Sequence, residues 1–153
     1  MAPPLDLSER KQLRDVAATC LCRQARAAAR TLTRHYEGFF AGGPLESTQF
    51  HLLLAIRLSE PVSMTGLATH TGLDRTTLTR NLALVRSAGL VTSANSTDAR
   101  SRLVALTATG RRTLQDALPR WQEAQRQAAT LLGPAAVAQL ASSLASVSLL
   151  NPA

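Results

Sequence analysis

A mainly α-helical chain with one small β-hairpin is what this sequence predicts, and three observations carry the prediction. Apolar residues recur at three- and four-residue spacing along most of the chain, the period of half-buried helices. Two short helical patterns meet at Thr71-Gly72, where glycine accepts a tight turn, so that they form a helix-turn-helix. Two β-rich runs, Leu90–Ser93 and Arg102–Leu106, then flank a polar turn, and a hairpin in that position is a wing.

In chain order, Ser8-Glu9-Arg10-Lys11 opens a long first helix with Ser8 as its cap, and the pattern continues to about Phe40 before Gly42-Gly43-Pro44 ends it. Leu13, Ala17, Leu21, Ala25, Ala28, Leu32, His35 and Phe39 share one face, which should pack. Arg23, Arg26, Arg30 and Arg34 form a separate stripe, whose plainest role is a solvated surface. Ser47 to Leu58 is the next helix, with Phe50 and Leu54 in the core, and Glu60-Pro61 ends it. His51 is expected to be a partly buried structural histidine, because no second metal ligand lies at a helical spacing from it. His35 and His70 are expected to be structural in the same way.

Val62 to His70 is the first helix of the central pair. Asp74 stands at the N-cap of the second, which runs from Arg75 to Val85. Leu78, Leu82 and Val85 fall on its inner face; Thr76, Thr79, Arg80 and Ala83 fall on the other. Small or hydrogen-bonding groups with one long cation suit a helix pressed into a major groove, so this face is expected to read base edges, with Arg75 and Thr77 beside it. The turn of the wing, from Ala94 to Ser101, carries cations able to reach a minor groove or phosphates. Thr107 then caps a helix toward Leu131-Leu132, bent or interrupted at Pro119 and stopped by Gly133-Pro134. The last helix, Ala135 to Val147, is almost without charge and wants a partner on its Leu140, Leu144 and Val147 face.

A chain of 153 residues fits one domain with a real core. A formal charge of +7 points to a polyanionic partner, and sixteen of the seventeen cations are Arg, suited to bidentate contacts with phosphates and guanine edges. A GC-rich genome would produce the same bias, so Arg richness alone proves little. No uninterrupted apolar run is long enough for a bilayer, and the N-terminus lacks a charged segment followed by an apolar one; a cytoplasmic chain with no membrane partner is expected. Against an enzyme, the sequence has no phosphate-binding glycine loop, no HExxH, no nucleophile elbow and no carboxylate pair on a shared helical face. The other alternative, a winged-helix module for protein assembly without DNA binding, would have no need of Arg80, Arg100 and Arg102.

Cys20-Leu21-Cys22 is the remaining candidate chemistry. On a regular helix residues two apart point about 200° from each other, so an intrachain disulfide would need local unwinding. The thiols are either small packing residues or a sensor, oxidised or binding a soft metal with donors from a second subunit.

These residues resemble the MarR family of bacterial winged-helix transcriptional regulators along nearly the whole chain. The carriers are Gln49-Phe50 with Leu53-Leu54, Leu73-Asp74-Arg75-Thr76-Thr77-Leu78-Thr79-Arg80, Gly89-Leu90-Val91, Asp98-Ala99-Arg100-Ser101-Arg102 and Leu106-Thr107-Ala108-Thr109-Gly110, in that order. The resemblance implies one domain over 1–153, with a winged helix-turn-helix lobe at 47–107 and dimerisation helices at 8–40 and 108–150. It therefore implies a homodimer, favours a solvated Arg stripe over direct DNA contact, and makes double-stranded DNA the partner. It assigns Arg100 to the minor groove, Arg102 to the strand and body, and Asp98 to holding one of these arginines. No cofactor is required; a small-molecule effector would have Tyr36 and Phe50 among its wall residues, and no metal is assigned beyond a soft ion at Cys20 and Cys22. The expected function is a homodimeric repressor, released from a pseudo-palindromic operator by a small ligand or by thiol modification.

Overall fold

The computed structural model describes residues 6–94 and 103–150, and these form a helical N-terminal unit ending at His35 and a larger unit beginning at Tyr36. The N-terminal unit holds α1 (Leu7–Thr19) and most of α2 (Leu21–Phe40). The single long helix expected from Ser8 to Phe40 is therefore two helices, and the cap is Asp6 rather than Ser8, with its carboxylate accepting the Glu9 N–H at 2.8 Å. The break falls at Cys20, whose backbone is extended at φ −66° and ψ 105°. It carries neither Gly nor Pro to announce it. Its carbonyls are satisfied from the side: Arg23 Nη1 donates to the Ala17 carbonyl at 2.9 Å, and the Gln24 amide donates to that of Ala18. These side chains replace backbone donors at a helix end, which makes the interruption tolerable. The apolar face expected to pack is only partly covered in this chain: α1 has no buried residue, and Leu13 and Leu21 are 51% and 77% exposed, while Ala17, Leu32, His35 and Phe39 are half-buried.

The larger unit is built on α3 (Ser47–Ser59), β1 (Val62–Ser63), α4 (Met64–Thr71), α5 (Arg75–Ser87), β2 (Val91–Ala94), β3 (Leu103–Leu106), α6 (Ala108–Leu132) and α7 (Pro134–Val147), with a 3-10 turn at Ser148–Leu150. Phe50, Leu52, Leu53 and Ile56 of α3 are buried with Leu67, Leu78, Val85 and Val104, so one helix supplies the centre of the core. Leu54 packs against that core, half-buried.

The expected two-stranded wing is part of a three-stranded antiparallel sheet, ordered β1-β3-β2. Val62 and Ser63, expected in a helix, pair with Val104 and Leu103. Two residues are too few to show an alternating pattern, and Ser63 also caps α4 by accepting the Gly66 N–H at 3.1 Å. On the other side of β3, Val91 lies opposite Leu106 and Ala94 opposite Leu103.

α6 runs unbroken through Pro119, where interruption or bending was expected. The ring leaves the Gln115 carbonyl without its helical donor. The buried stripe Gly110, Leu114, Ala117, Ala124 and Ala128 nevertheless keeps its spacing on both sides, so packing holds the helix in register. Gly110 is required at the start of that stripe, because a Cβ there would lie 2.0 Å from the Leu90 carbonyl oxygen. At the far end α6 and α7 meet at 109° across Gly133, whose φ is +87°. α7 has no buried residue, and Leu140, Leu144 and Val147 are 37%, 52% and 56% exposed. No single helix among the described residues is long and apolar enough to cross a membrane.

Candidate nucleic-acid interface

α5 is fixed at its N-terminal end and from below. Gly72, at φ +65°, closes α4 in the left-handed region and turns the chain toward Asp74. The Asp74 carboxylate accepts the N–H groups of Thr76 and Thr77 at 3.0 and 2.9 Å, and the Thr77 hydroxyl at 2.7 Å. These bonds, the Thr77 backbone bond foremost, hold its carboxyl below the usual carboxylate range. Leu78, Leu82 and Val85 are buried, as their spacing predicts, while Arg75, Thr76, Thr77, Thr79, Arg80 and Ala83 are exposed.

The hydroxyls on that face are not equivalent. Thr77 donates to Asp74, and Thr79 donates to the Arg75 carbonyl at 2.7 Å, so toward a ligand both are left as acceptors. Arg75 and Arg80 form no ion pair among the described residues. Their guanidinium groups are therefore the strong donors of this surface, with Thr76 between them along the helix. Asp98, Arg100 and Arg102 lie outside the described residues.

The candidate sensor residues differ in exposure: Cys20 is half-buried at the helix break and Cys22 is exposed on α2, both as free thiols. The regular helix assumed for their geometry is absent at Cys20. Among the described residues, no group of three or more His, Cys, Asp and Glu side chains gathers to hold a metal. Tyr36 donates to the Gln125 side chain, and burial pushes its phenol up. Phe50 is 1% exposed and packs against Phe40 in the core. A cleft of about 540 Å³ is lined by Glu37, Phe40 and the segment 41–49, and neither Tyr36 nor Phe50 is among its lining residues. His51, expected to be partly buried, is exposed, and its Nδ1 bonds the Ser47 carbonyl at 2.8 Å.

Glu60 is the residue that sequence reasoning passed over, since an acid before proline marks only the end of a helix. Its carboxylate joins Arg57, Arg111 and the Leu106 backbone. Arg111 is fifty-one positions away, and no local pattern links the two.

Residues 44–101 match the family model described as MarR family. The transcriptional regulator MosR of M. tuberculosis, solved in complex with DNA, is 36% identical, with 86% of this chain and 98% of that one covered at a TM-score of 0.72. The chain belongs to the MarR family of transcriptional regulators. A mutant MarR from E. coli, complexed with operator DNA, is 25% identical over 86% of this chain and 96% of its own, with a TM-score of 0.75. The transcriptional repressor CouR, bound to a 23-mer DNA duplex, is 25% identical over 95% and 99%, with a TM-score of 0.76. No curated protein sequence matches the chain. Membership of the MarR family accounts for the mainly helical fold with its small sheet, and for the helix-turn-helix at α4 and α5.

Proposed function

We propose that the chain is a homodimeric, sequence-specific DNA-binding repressor whose α5 enters the major groove. The observation that carries this is the two-sided character of α5: Leu78, Leu82 and Val85 seat it on the core while Arg75, Thr76 and Arg80 stand free on the outer side. The DNA-bound MosR, MarR and CouR structures support it, as does the net charge of +7. Arg80 and Arg75 contact base edges or phosphates, and Thr76, Thr77 and Thr79 contribute hydrogen bonds. In the wing, Arg100 enters the minor groove, Arg102 contacts phosphate or the body of the lobe, and Asp98 holds one of them.

Dimerisation uses the helices within 8–40 and 108–150. The uncovered leucines of α1, α6 and α7, among them Leu13, Leu131 and Leu144, are the apolar surface it removes from water. The protein acts in the cytoplasm by occupying a promoter, without a chemical step of its own. Release follows a small ligand or modification at Cys20 and Cys22; Tyr36 contributes to a ligand site and Phe50 supports it from the core.

Filter binding on random and promoter DNA across a salt series tests this. Phosphate contacts predict a steep loss of affinity with added salt and a preference for the promoter. A protein that assembles with proteins alone would show neither.

A further inference from the structure

Glu60 stands where the ladder between β1 and β3 would continue. The pairings Val62 with Val104 and Ser63 with Leu103, carried two residues further, set position 60 opposite Leu106. The backbone makes no such rung, because α3 ends at Ser59 and Pro61 has no N–H. The Glu60 side chain makes it instead: Oε2 accepts the Leu106 N–H at 2.7 Å. Oε1 accepts from Arg111 at 2.6 Å and from Arg57 at 3.0 Å. Arg111 Nη2 also donates to the Leu106 carbonyl at 3.3 Å. Leu106 is thus held at its N–H and its C=O by a carboxylate and a guanidinium bonded to each other.

This ring differs from the other ion pair of the described chain. The Glu60 side chain is 9% exposed, against 41% for Glu123 in its pair with Arg126. Shielding from water strengthens charge-assisted bonds and favours one geometry. Leu106 also lies opposite Val91, so whatever holds it fixes the root of β2 as well as β3. The fold does not depend on the ring alone. Val104 and Leu106 are buried in the core, and the Arg57 and Arg111 side chains are 53% and 46% exposed, free to return to water if the carboxylate is lost.

We infer that Glu60 is a positioning residue that acts through Arg111 and Leu106 to set the angle at which the β2–β3 wing meets DNA. The inference rests on the DNA-binding function proposed above. A small rotation at the root is carried to the far ends of both strands, so the wing loses its contacts while α5 keeps its own.

The test is a double-mutant cycle on the full chain with promoter DNA, combining Glu60→Gln with Arg100→Ala. The amide keeps an acceptor for the Leu106 N–H and removes the charge that binds Arg111. Glu60→Gln should weaken promoter binding about tenfold, the scale of a lost charge-assisted bond, with cooperative thermal unfolding preserved. In the Arg100→Ala background it should add less than about twofold, because the contact it positions is already gone. Arg111→Gln, at a half-exposed site, runs the same cycle should Glu60→Gln not fold. Wild-type affinity for both single variants, or an equal loss in the two backgrounds, overturns the role of Glu60. Wild-type affinity for Arg100→Ala overturns the wing contact and this inference together, whereas a weakened Arg100→Ala beside an unaffected Glu60→Gln removes the inference alone.

Discussion

Asp74 accepts both the backbone N–H and the hydroxyl of Thr77, at 2.9 and 2.7 Å, so one carboxylate ties the first turn of α5 to the turn before it. The same bonds lower its pKa, so the folded protein holds the proton more weakly than the unfolded chain. The stability from this cap is therefore fully present above the ordinary carboxylate range and is lost as pH falls through the lower folded value. Asp74→Ala should lower both the melting temperature and promoter affinity at neutral pH, and Asp74→Asn should restore most of each, since Asn also caps helices well. Calorimetry at neutral and acidic pH checks the sign: the gap between wild type and Asp74→Ala should narrow on acidification. A gap that widens contradicts the cap.

Arg80 stands on the exposed side of α5, between buried Leu78 and Leu82 in sequence. Arg80→Ala should cost roughly 1–3 kcal/mol on the preferred promoter site while leaving the fold intact, as expected of a lost base-edge contact. Competition with random DNA distinguishes the roles. Equal losses on both would make Arg80 a phosphate contact.

Gly110 meets the chain at Leu90 with no room for a methyl group. Gly110→Ala should destabilise the protein by about 1–3 kcal/mol, through overpacking against backbone that has little freedom to move. The Thr107 cap is held at the same junction, donating to the Gly89 carbonyl at 2.8 Å while accepting the Gly110 N–H at 2.9 Å. Urea unfolding measures the change. Wild-type stability would show that this junction can open at little cost.

For the thiols, the chain leaves helical geometry at Cys20, so the opposed directions of a regular helix do not by themselves exclude a bridge to Cys22. A hydroperoxide should take two electrons and two protons from the pair, leaving a disulfide, water and an alcohol, and DNA should be released. Exposed Cys22 should react first. Mass spectrometry with nonreducing electrophoresis locates the bond within or between chains. Release with an unchanged dose response in both Cys20→Ser and Cys22→Ser would make these thiols packing residues.

Much of this was legible because local chemistry announces itself. Asp74, Gly72 and Thr107 occupy cap and turn positions where residue type nearly determines the role, and Leu78, Leu82 and Val85 repeat with the helical period. What stayed hidden depends on distant partners or on side chains substituting for backbone. The interruption at Cys20 is satisfied by Arg23 and Gln24, residues that would fit an unbroken helix equally well. β1 is defined by its partner β3, far along the chain, and Glu60 by Arg111 and Leu106. Pro119 misled in the other direction, since the buried stripe of α6 outweighs the loss of one helical bond.

Footprinting on promoter DNA, with the oligomeric state measured in parallel by sedimentation, tests the central claim most directly. Two copies of α5 related by a two-fold axis should protect a pseudo-palindrome whose half-sites are centred about 10 bp apart, or at a near multiple, with dimeric protein in solution. A monomer protecting a single asymmetric half-site, or a dimer that protects no segment of promoter DNA, would contradict it.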